Sequence, residues 1–441
     1  MNEKVISAKR TKVPLRIAVI GGGIGGLTAA LSLRQAGFEV NVYEQAPELT
    51  QIGGGINIGP NAVRILRRLG LAAGLDREGV RPLLAHQRRW QDGRTLQWAP
   101  INPLCEELYR APHITIHRAD LLAVIASGFP TKRIHLGHRV AGLAEECDSV
   151  EAWFENGARI TADIVVGADG INSTVRAALF GEEAPVFAGC VAYRGLVPAE
   201  RIADLGLETG NQSWVGPGAH LVHYFVSRGR LLNFVGWTEH DSWNREDWTD
   251  RATVARALAA FEGWHPQVRR IISAADTCFI WALFDREPLP RWSVGRTTLL
   301  GDACHSMYPF MGQGAAQAIE DGAALAACLA AGGNADPAES LRHYEQLRLP
   351  RVTRLQDMSR ANKARFHMRD GPAQEARDAE WARSADRSPR RSALALRLRS
   401  GSGQSRGGLK SGPGVGIVRK GRDRPQIFVN CVQVPVSLIA I

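Results

Sequence analysis

Apolar positions first gather at residues 15–20 (LRIAVI), a short β-rich run that passes directly into GGGIGG. A helical pattern follows over residues 27–36. Gly37 is placed to end it, and residues 38–43 (FEVNVY) alternate as a second strand. Strand, helix and strand in this order predict a doubly wound α/β domain. A helix is expected over 60–69, with Pro60 in its first turn and Gly70 after it. Residues 80–112 alternate in stretches rich in Trp, Gln, Pro and Arg and read as strands of another layer. Helix and strand resume over 117–166. Residues 186–290 hold most of the tryptophans and a hairpin, 220–226 and 230–237, about a Ser-Arg-Gly-Arg turn. They predict a mostly antiparallel sheet. Residues 297–300 form a last buried strand, 313–331 an Ala-rich helix and 338–366 a further one.

The pattern divides the 441-residue chain. Residues 1–13 read as a disordered terminus. Residues 14–185 and 291–370 form the α/β domain, with some sheet from 80–112 joining the other layer, and 186–290 form an inserted domain. Beyond about 376 periodicity gives way to Arg, Ser and Gly, so 376–441 read as a basic, disordered tail. The net charge of +10 is all in that region: residues 381–441 hold 12 Lys and Arg against 2 Asp and Glu, leaving 42 of each sign in 1–380. The body is neutral, and no nucleic-acid partner is expected of it. No apolar run approaches the ~20 residues that cross a bilayer, so no stable membrane association is expected. The seven cysteines are scattered with no CxxC pair, which argues against a disulfide framework or a metal site and for a cytoplasmic location.

Gly21, Gly23 and Gly26 fit GxGxxG between a strand and a helix. The first glycine permits a tight turn, the second admits a pyrophosphate to the backbone, and the third lets helix and strand pack closely. The helix N-terminus adds unpaired N–H donors and partial positive charge, with Ile24 and Gly25 in its first turn. Glu44, 18 residues after Gly26, stands where a carboxylate accepts hydrogen bonds from a ribose, and Gln45 follows it. This array does not separate an NAD site from an FAD site.

Two later motifs do. VVGADGINSTVR (165–176) and TTLLGDACHSMYPFMGQGAAQAIEDGAAL (297–325) each follow an apolar strand. With the first array they resemble the single-component flavoprotein aromatic hydroxylases, of which salicylate hydroxylase is a member, over roughly residues 14–370. The resemblance implies a Rossmann-like FAD-binding domain, an inserted substrate domain and C-terminal helices. It implies that Asp302 binds the ribityl chain, that Gly312, Gln313 and Gly314 bring amides to the pyrimidine end of the ring, and that Pro309 faces the ring. Arg118 then reaches the FAD backbone, and Gly55 belongs to a loop (52–61) that passes beside the flavin ring and whose glycines leave room for the ring to move. The resemblance has Asp169 serve the flavin site and reductant use; the alternative is that with Ser173 it caps the helix after it, and the two roles are compatible. His305 matches a position the family fills for local structure. Relatives continue past residue 370 with a short, Trp-containing acidic ending, so the basic tail here reads as a frameshifted or otherwise abnormal C-terminus.

On the substrate side, period two places His220, Val222, Tyr224 and Val226 on one face of a strand and His223 on the other. The resemblance makes His220 and Tyr224 catalytic candidates, with His220 or a water it holds deprotonating a substrate hydroxyl. Arg194 in AYRG is either a carboxylate clamp or a structural residue. The chain has no second GxGxxG on a strand–helix unit, so NADH or NADPH is expected to act as a transient co-substrate. The implied reaction is hydroxylation of a small phenolic acid of the salicylate or hydroxybenzoate type with O2, through a flavin hydroperoxide. Hydroxypyridines and polyketide phenols are alternative substrates, a non-catalytic FAD-binding protein is the alternative role, and a homodimer is left open.

Overall fold

The structure is a computed structural model and describes residues 14–49, 53–243, 250–332 and 336–386. The expected disordered terminus, 1–13, and the tail from 387 onward lie outside the described residues.

Residues 17–20, Ile164–Gly167 and Thr297–Leu299 are buried on both faces, as the centre of a parallel sheet requires, while Glu39–Tyr43 alternates, burying Val40 and Val42 and leaving Glu39 and Asn41 half-buried. The strands lie in the order Ile134–His135, Glu39–Tyr43, Arg16–Ile20, Ile164–Gly167, Thr297–Leu299, with Ser293–Val294 antiparallel at the edge. The order reverses direction between Arg16–Ile20 and Ile164–Gly167, which pair Ile20 with Gly167. A ligand binds outside the carboxyl ends of strands at such a switch point. The first helix spans Ile24–Gln35, three residues earlier than the apolar pattern suggested. Gly25 and Gly26 sit inside it because of what they face. A Cβ on Gly25 would lie 2.8 Å from Leu300 Cδ2, and one on Gly26 would lie 2.0 Å from the Gly21 carbonyl oxygen.

The second layer is an eight-stranded sheet in the order Asp250–Ala252, Cys278–Asp285, Val186–Pro198, Leu231–Glu239, Ala219–Val226, Gly210–Gly216, Leu84–Arg89, Thr95–Ala99. All its pairs are antiparallel except Leu84–Arg89 with Gly210–Gly216. One face packs Trp214, Phe234, Phe261 and Ile271 into a core beneath the helices Val254–Ala260 and Pro266–Ser273. The other face looks toward the parallel sheet.

The helix Pro337–Phe366 is followed by another, Pro372–Asp386, where the sequence suggested that a disordered tail was already under way. Pro372 opens it, and Trp381 supplies an anchor that composition alone conceals. Its indole is buried against Phe366, with the Arg377 guanidinium 4.7 Å from the ring centre. Among the described residues no helix is long and apolar enough to cross a membrane.

Candidate functional site

The glycine loop after Arg16–Ile20 is shaped by close backbone approach. Gly21 has φ +108°, and a Cβ there would lie 2.3 Å from the Ala168 carbonyl oxygen of the neighbouring strand. No side chain caps the helix at Gly23, so its first amides are left for a ligand. The helix Gly314–Gly332 starts close by: a Cβ on Gly25 would stand 3.0 Å from Ala318 Cβ. Two helix N-termini thus meet at the switch point, an arrangement that favours negative charge. Glu44 closes this end. Its Oε2 accepts the Gly22 N–H at 2.6 Å and its Oε1 accepts the Ala46 N–H at 2.9 Å.

From here a cavity of about 750 Å³ runs to the open face of the eight-stranded sheet. Gly21, Gly23, Ile24, Gly25, Glu44 and Gln45 line its first part. Gly55, Arg118, Asp169, Asp302, Pro309, Gly312, Gln313 and Gly314 line its middle, and His220 and Tyr224 its far wall. Gly26, singled out with them, does not line the cavity. Its place is the helix–strand contact beneath, where a side chain would meet Gly21. Arg118 reaches the wall because Gly55–Ile58 pairs antiparallel with Ile114–His117, setting Gly55 opposite His117 and bringing the Arg118 N–H to the Gly54 carbonyl at 3.1 Å.

Two residues with alternative roles are placed plainly. The Asp169 carboxylate accepts the Ser173 hydroxyl at 2.5 Å and the Val175 N–H at 3.1 Å, while Ser173 Oγ accepts the Arg176 N–H. Asp169 therefore orders the helix start as well as lining the cavity, and burial raises its pKa. His305 lies outside the cavity lining, in a buried network. Its Nε2 is 2.5 Å from Asp321 Oδ2, and Asp321 Oδ1 accepts the Arg348 Nε–H at 2.7 Å.

The far wall follows from strand register. Gln87, Ser213, Val222, Val235 and Arg194 face one another across five adjacent strands, and all five line the cavity. Arg194 is half-buried, with its Nε out of reach of solvent. Its Nε has no hydrogen-bond partner, its guanidinium lies 4.5 Å from the Trp281 ring centre, and burial pushes its pKa down to about 10. Tyr224, whose pKa burial raises, is close enough for the two to act on each other's charge. At the opposite end, Gln87 Oε1, Asn211 Oδ1 and Tyr109 Oη are buried without partners. His220 lies one row further along, with Nδ1 2.7 Å from His367 Nε2, and burial holds its pKa well below the usual imidazole range. His223 points to the other side, where its Nε2 accepts the Trp214 indole N–H at 3.2 Å.

Gln87, Tyr109, Asn211, Asn233 and His367 were not among the sequence candidates. Asn211 and Ser213 did carry a signal, polar side chains two apart on a strand, which share one face. Asn233 and His367 carried none, since their partners lie 178 and 147 residues away.

These features fit a long anionic cofactor beside an aromatic one. The pyrophosphate end has a glycine turn that no side chain can enter and two helix N-termini; the far end has unpaired polar atoms among apolar walls. Comparison with known proteins agrees. The FAD binding domain family matches residues 14–359. The chain is 43% identical over 363 residues, 82% of its length and 91% of the relative's, to 3-amino-4-hydroxybenzoate 2-monooxygenase PtmB3 of Streptomyces platensis. It is 38% identical over 349 residues, 79% of its length and 91% of the relative's, to 6-hydroxynicotinate 3-monooxygenase of Pseudomonas fluorescens. The crystal structure of Klebsiella pneumoniae HpxO complexed with FAD and uric acid superposes with a TM-score of 0.75 at 28% identity, covering 87% of this chain and 95% of that one. The chain thus belongs to the FAD binding domain family, within its aromatic-ring monooxygenases, and FAD is its cofactor.

Proposed function

We propose that this monooxygenase hydroxylates a small aromatic acid bearing a ring hydroxyl, of the hydroxybenzoate type, with NADH or NADPH as reductant. The observation that carries the reading is Arg194: a half-buried guanidinium whose buried Nε has no partner, on the same cavity wall as His220 and Tyr224. A guanidinium in that state matches a carboxylate, which it pairs through two parallel hydrogen bonds. An apolar floor, Val222 and Val235, leads from Arg194 toward the polar end. A ring lying there presents its hydroxyl to His220, which takes the proton and leaves a more electron-rich ring.

FAD, when bound, supplies electron transfer from the nicotinamide and the activation of O2. The protein's own contribution is placement and exclusion of water. Gly312 to Gly314 present backbone amides and a helix N-terminus where the ring's negative charge is expected to gather. Pro309, Phe310 and Trp237 shield the reacting region. The substrates for which the two relatives are named, a hydroxybenzoate and a hydroxynicotinate, share a carboxylate and a ring hydroxyl, the two groups this reading assigns to Arg194 and His220. The same reading takes the cytoplasm as the compartment, supported by seven scattered cysteines without a CxxC pair. It takes neither nucleic acid nor membrane as partner, supported by the charge balance of residues 1–380 and the shortness of the apolar runs.

The test is oxidation of NADH and NADPH by the purified, FAD-loaded chain with 3-amino-4-hydroxybenzoate, 3-hydroxybenzoate, salicylate and 6-hydroxynicotinate, with product identification. One acid is expected to stimulate oxidation and appear hydroxylated in step with it. Stimulation by none of them, or equal stimulation by analogues lacking the carboxylate, rejects the assignment.

A further inference from the structure

His220 is enclosed by aromatic rings. Trp237 lies 6.5 Å away in stacked orientation, and Phe310 and Phe366 meet its edge or face at 4.9 and 5.2 Å between centroids. Its Nδ1 is spent on His367 Nε2 at 2.7 Å, so Nε2 is the nitrogen left for the cavity. His367 follows the helix Pro337–Phe366. Its carbonyl accepts the Gly218 N–H at 3.0 Å, which fixes it beneath the start of the strand that carries His220. On its far side, His367 Nδ1 lies 3.4 Å from Glu239 Oε1, and the Glu239 side chain is 41% exposed. Three titratable side chains therefore step from cavity wall to surface.

We propose that His220, His367 and Glu239 form a proton conduit that carries the substrate hydroxyl's proton from the cavity to solvent. The inference rests on the proposed substrate class and on His220 as first acceptor.

The conduit requires one pair of tautomers: His220 with its proton on Nδ1, donated to His367 Nε2, and His367 with its proton on Nδ1, on the side of Glu239. In the handover the substrate O–H breaks and His220 Nε2–H forms. His220 Nδ1–H breaks as His367 Nε2–H forms, and His367 Nδ1–H breaks as the Glu239 carboxyl O–H forms; that proton then leaves to water. Both imidazoles begin and end neutral, each with its proton moved from Nδ1 to Nε2. Glu239 is uncharged only until it releases its proton, so the net change is one negative charge on the substrate oxygen and one proton in solvent. The rings turn back to their first tautomers before the next handover. A handover of this kind suits the electrostatics. Burial lowers the His220 pKa and pushes His367 to about 3, with Lys363 on the adjoining helix adding like charge against protonation. Neither ring can store a proton, so His220 is useful as an acceptor only if it passes the proton on. Arg369, with Nη2 3.9 Å from Glu239 Oε2, and Cys190, whose thiol burial pushes up to about 11, complete the titratable and charged surroundings. The His367–Glu239 joint is not an aligned hydrogen bond, so transfer there needs a ring rotation or one bridging water.

Stopped-flow mixing of oxidised, FAD-loaded enzyme with 3-amino-4-hydroxybenzoate, without reductant, reads the phenol-to-phenolate absorbance change directly. His367→Gln is expected to slow it by about ten-fold or more while leaving binding of the probe little changed, since a positioned proton acceptor contributes at least that much. Glu239→Gln is expected to slow it by a few-fold, roughly, because water substitutes at an exposed joint. Imidazole in the buffer should restore part of the rate to His367→Ala, an effect that a merely structural role would not show. Wild-type deprotonation rates in His367→Gln and Glu239→Gln, with loss in His220→Gln, overturn the conduit and leave His220 standing. A wild-type rate in His220→Gln removes the first acceptor and the conduit with it. Should His367→Gln fail to load FAD, Glu239→Gln at the exposed end decides, and a wild-type rate there overturns the conduit.

Discussion

Asn233 Oδ1 accepts the Gly55 backbone N–H at 2.7 Å, joining the eight-stranded sheet to the loop that lines the middle of the cavity. The contact is tight: a Cβ on Gly55 would lie 2.5 Å from Tyr224 Cε2 and 2.9 Å from Asn233 Cβ. The loop thus rests directly on the wall that carries Tyr224. Asn233→Ala leaves the Gly55 amide buried without its acceptor, a loss of about 1–3 kcal/mol. Thermal unfolding should show that loss, and fluorescence of released flavin should show weaker FAD retention. Unchanged retention would mean that the loop is held by its pairing with Ile114–His117 alone.

Arg194 gives a sharper expectation about substrate. In Arg194→Met the stem volume is kept and the cation removed, so a carboxylated substrate loses a charge-assisted pair of about 1.5–3 kcal/mol, roughly ten- to hundred-fold in kcat/KM. The loss should fall chiefly on KM. The matching phenol without a carboxylate should be handled alike by both proteins. A variant that discriminates against neither, or equally against both, would place the carboxylate elsewhere.

Much of the FAD end was legible because its chemistry is local. Gly21, Gly23 and Glu44 lie within one strand–helix–strand unit, and the Asp302 and Gly312–Gly314 motifs each follow a buried strand. Period two also placed His220 and Tyr224 on one face and His223 on the other, as the register has it. The rest depends on which strands lie side by side. The row from Gln87 to Arg194 joins segments over 100 residues apart through a parallel pair, Leu84–Arg89 with Gly210–Gly216, that no hairpin turn announces. His367 reaches His220 only because a thirty-residue helix delivers it there.

Buried imidazoles make stability depend on pH in a definite direction. Burial pushes His113 down to about 4 and His223 and His367 to about 3. The unfolded chain binds protons at these rings from about pH 6.5 downward, and the folded chain does not until their lowered pKa values are reached. Stability is therefore full above about 6.5 and is lost as pH falls toward 4, by up to about 1.4 kcal/mol per pH unit for each ring. His223→Gln keeps an acceptor for the Trp214 indole and cannot titrate. Its unfolding midpoint should fall less steeply between pH 6.5 and 4 than that of the parent, and parallel curves would show that His223 carries none of the dependence.

Trp381 tests whether the last described helix is part of the working fold. Its ring packs on Phe366, whose own ring lies against His220, so Pro372–Asp386 buttresses the wall on which the substrate hydroxyl is expected to rest. Arg365 and Arg377 lie 5.7 and 4.7 Å from the indole centre and bring charge to a ring that is only 6% exposed. Trp381→Ala removes a large buried side chain, at a cost of about 3–5 kcal/mol where the site cannot collapse. Trp381→Phe keeps most of the volume and should recover most of that loss. If the helix only covers the sheet edge, the two variants will differ in stability alone. If it supports the wall, Trp381→Ala should also lower kcat in material that is fully folded and FAD-loaded at the assay temperature, because Phe366 then has room to move away from His220.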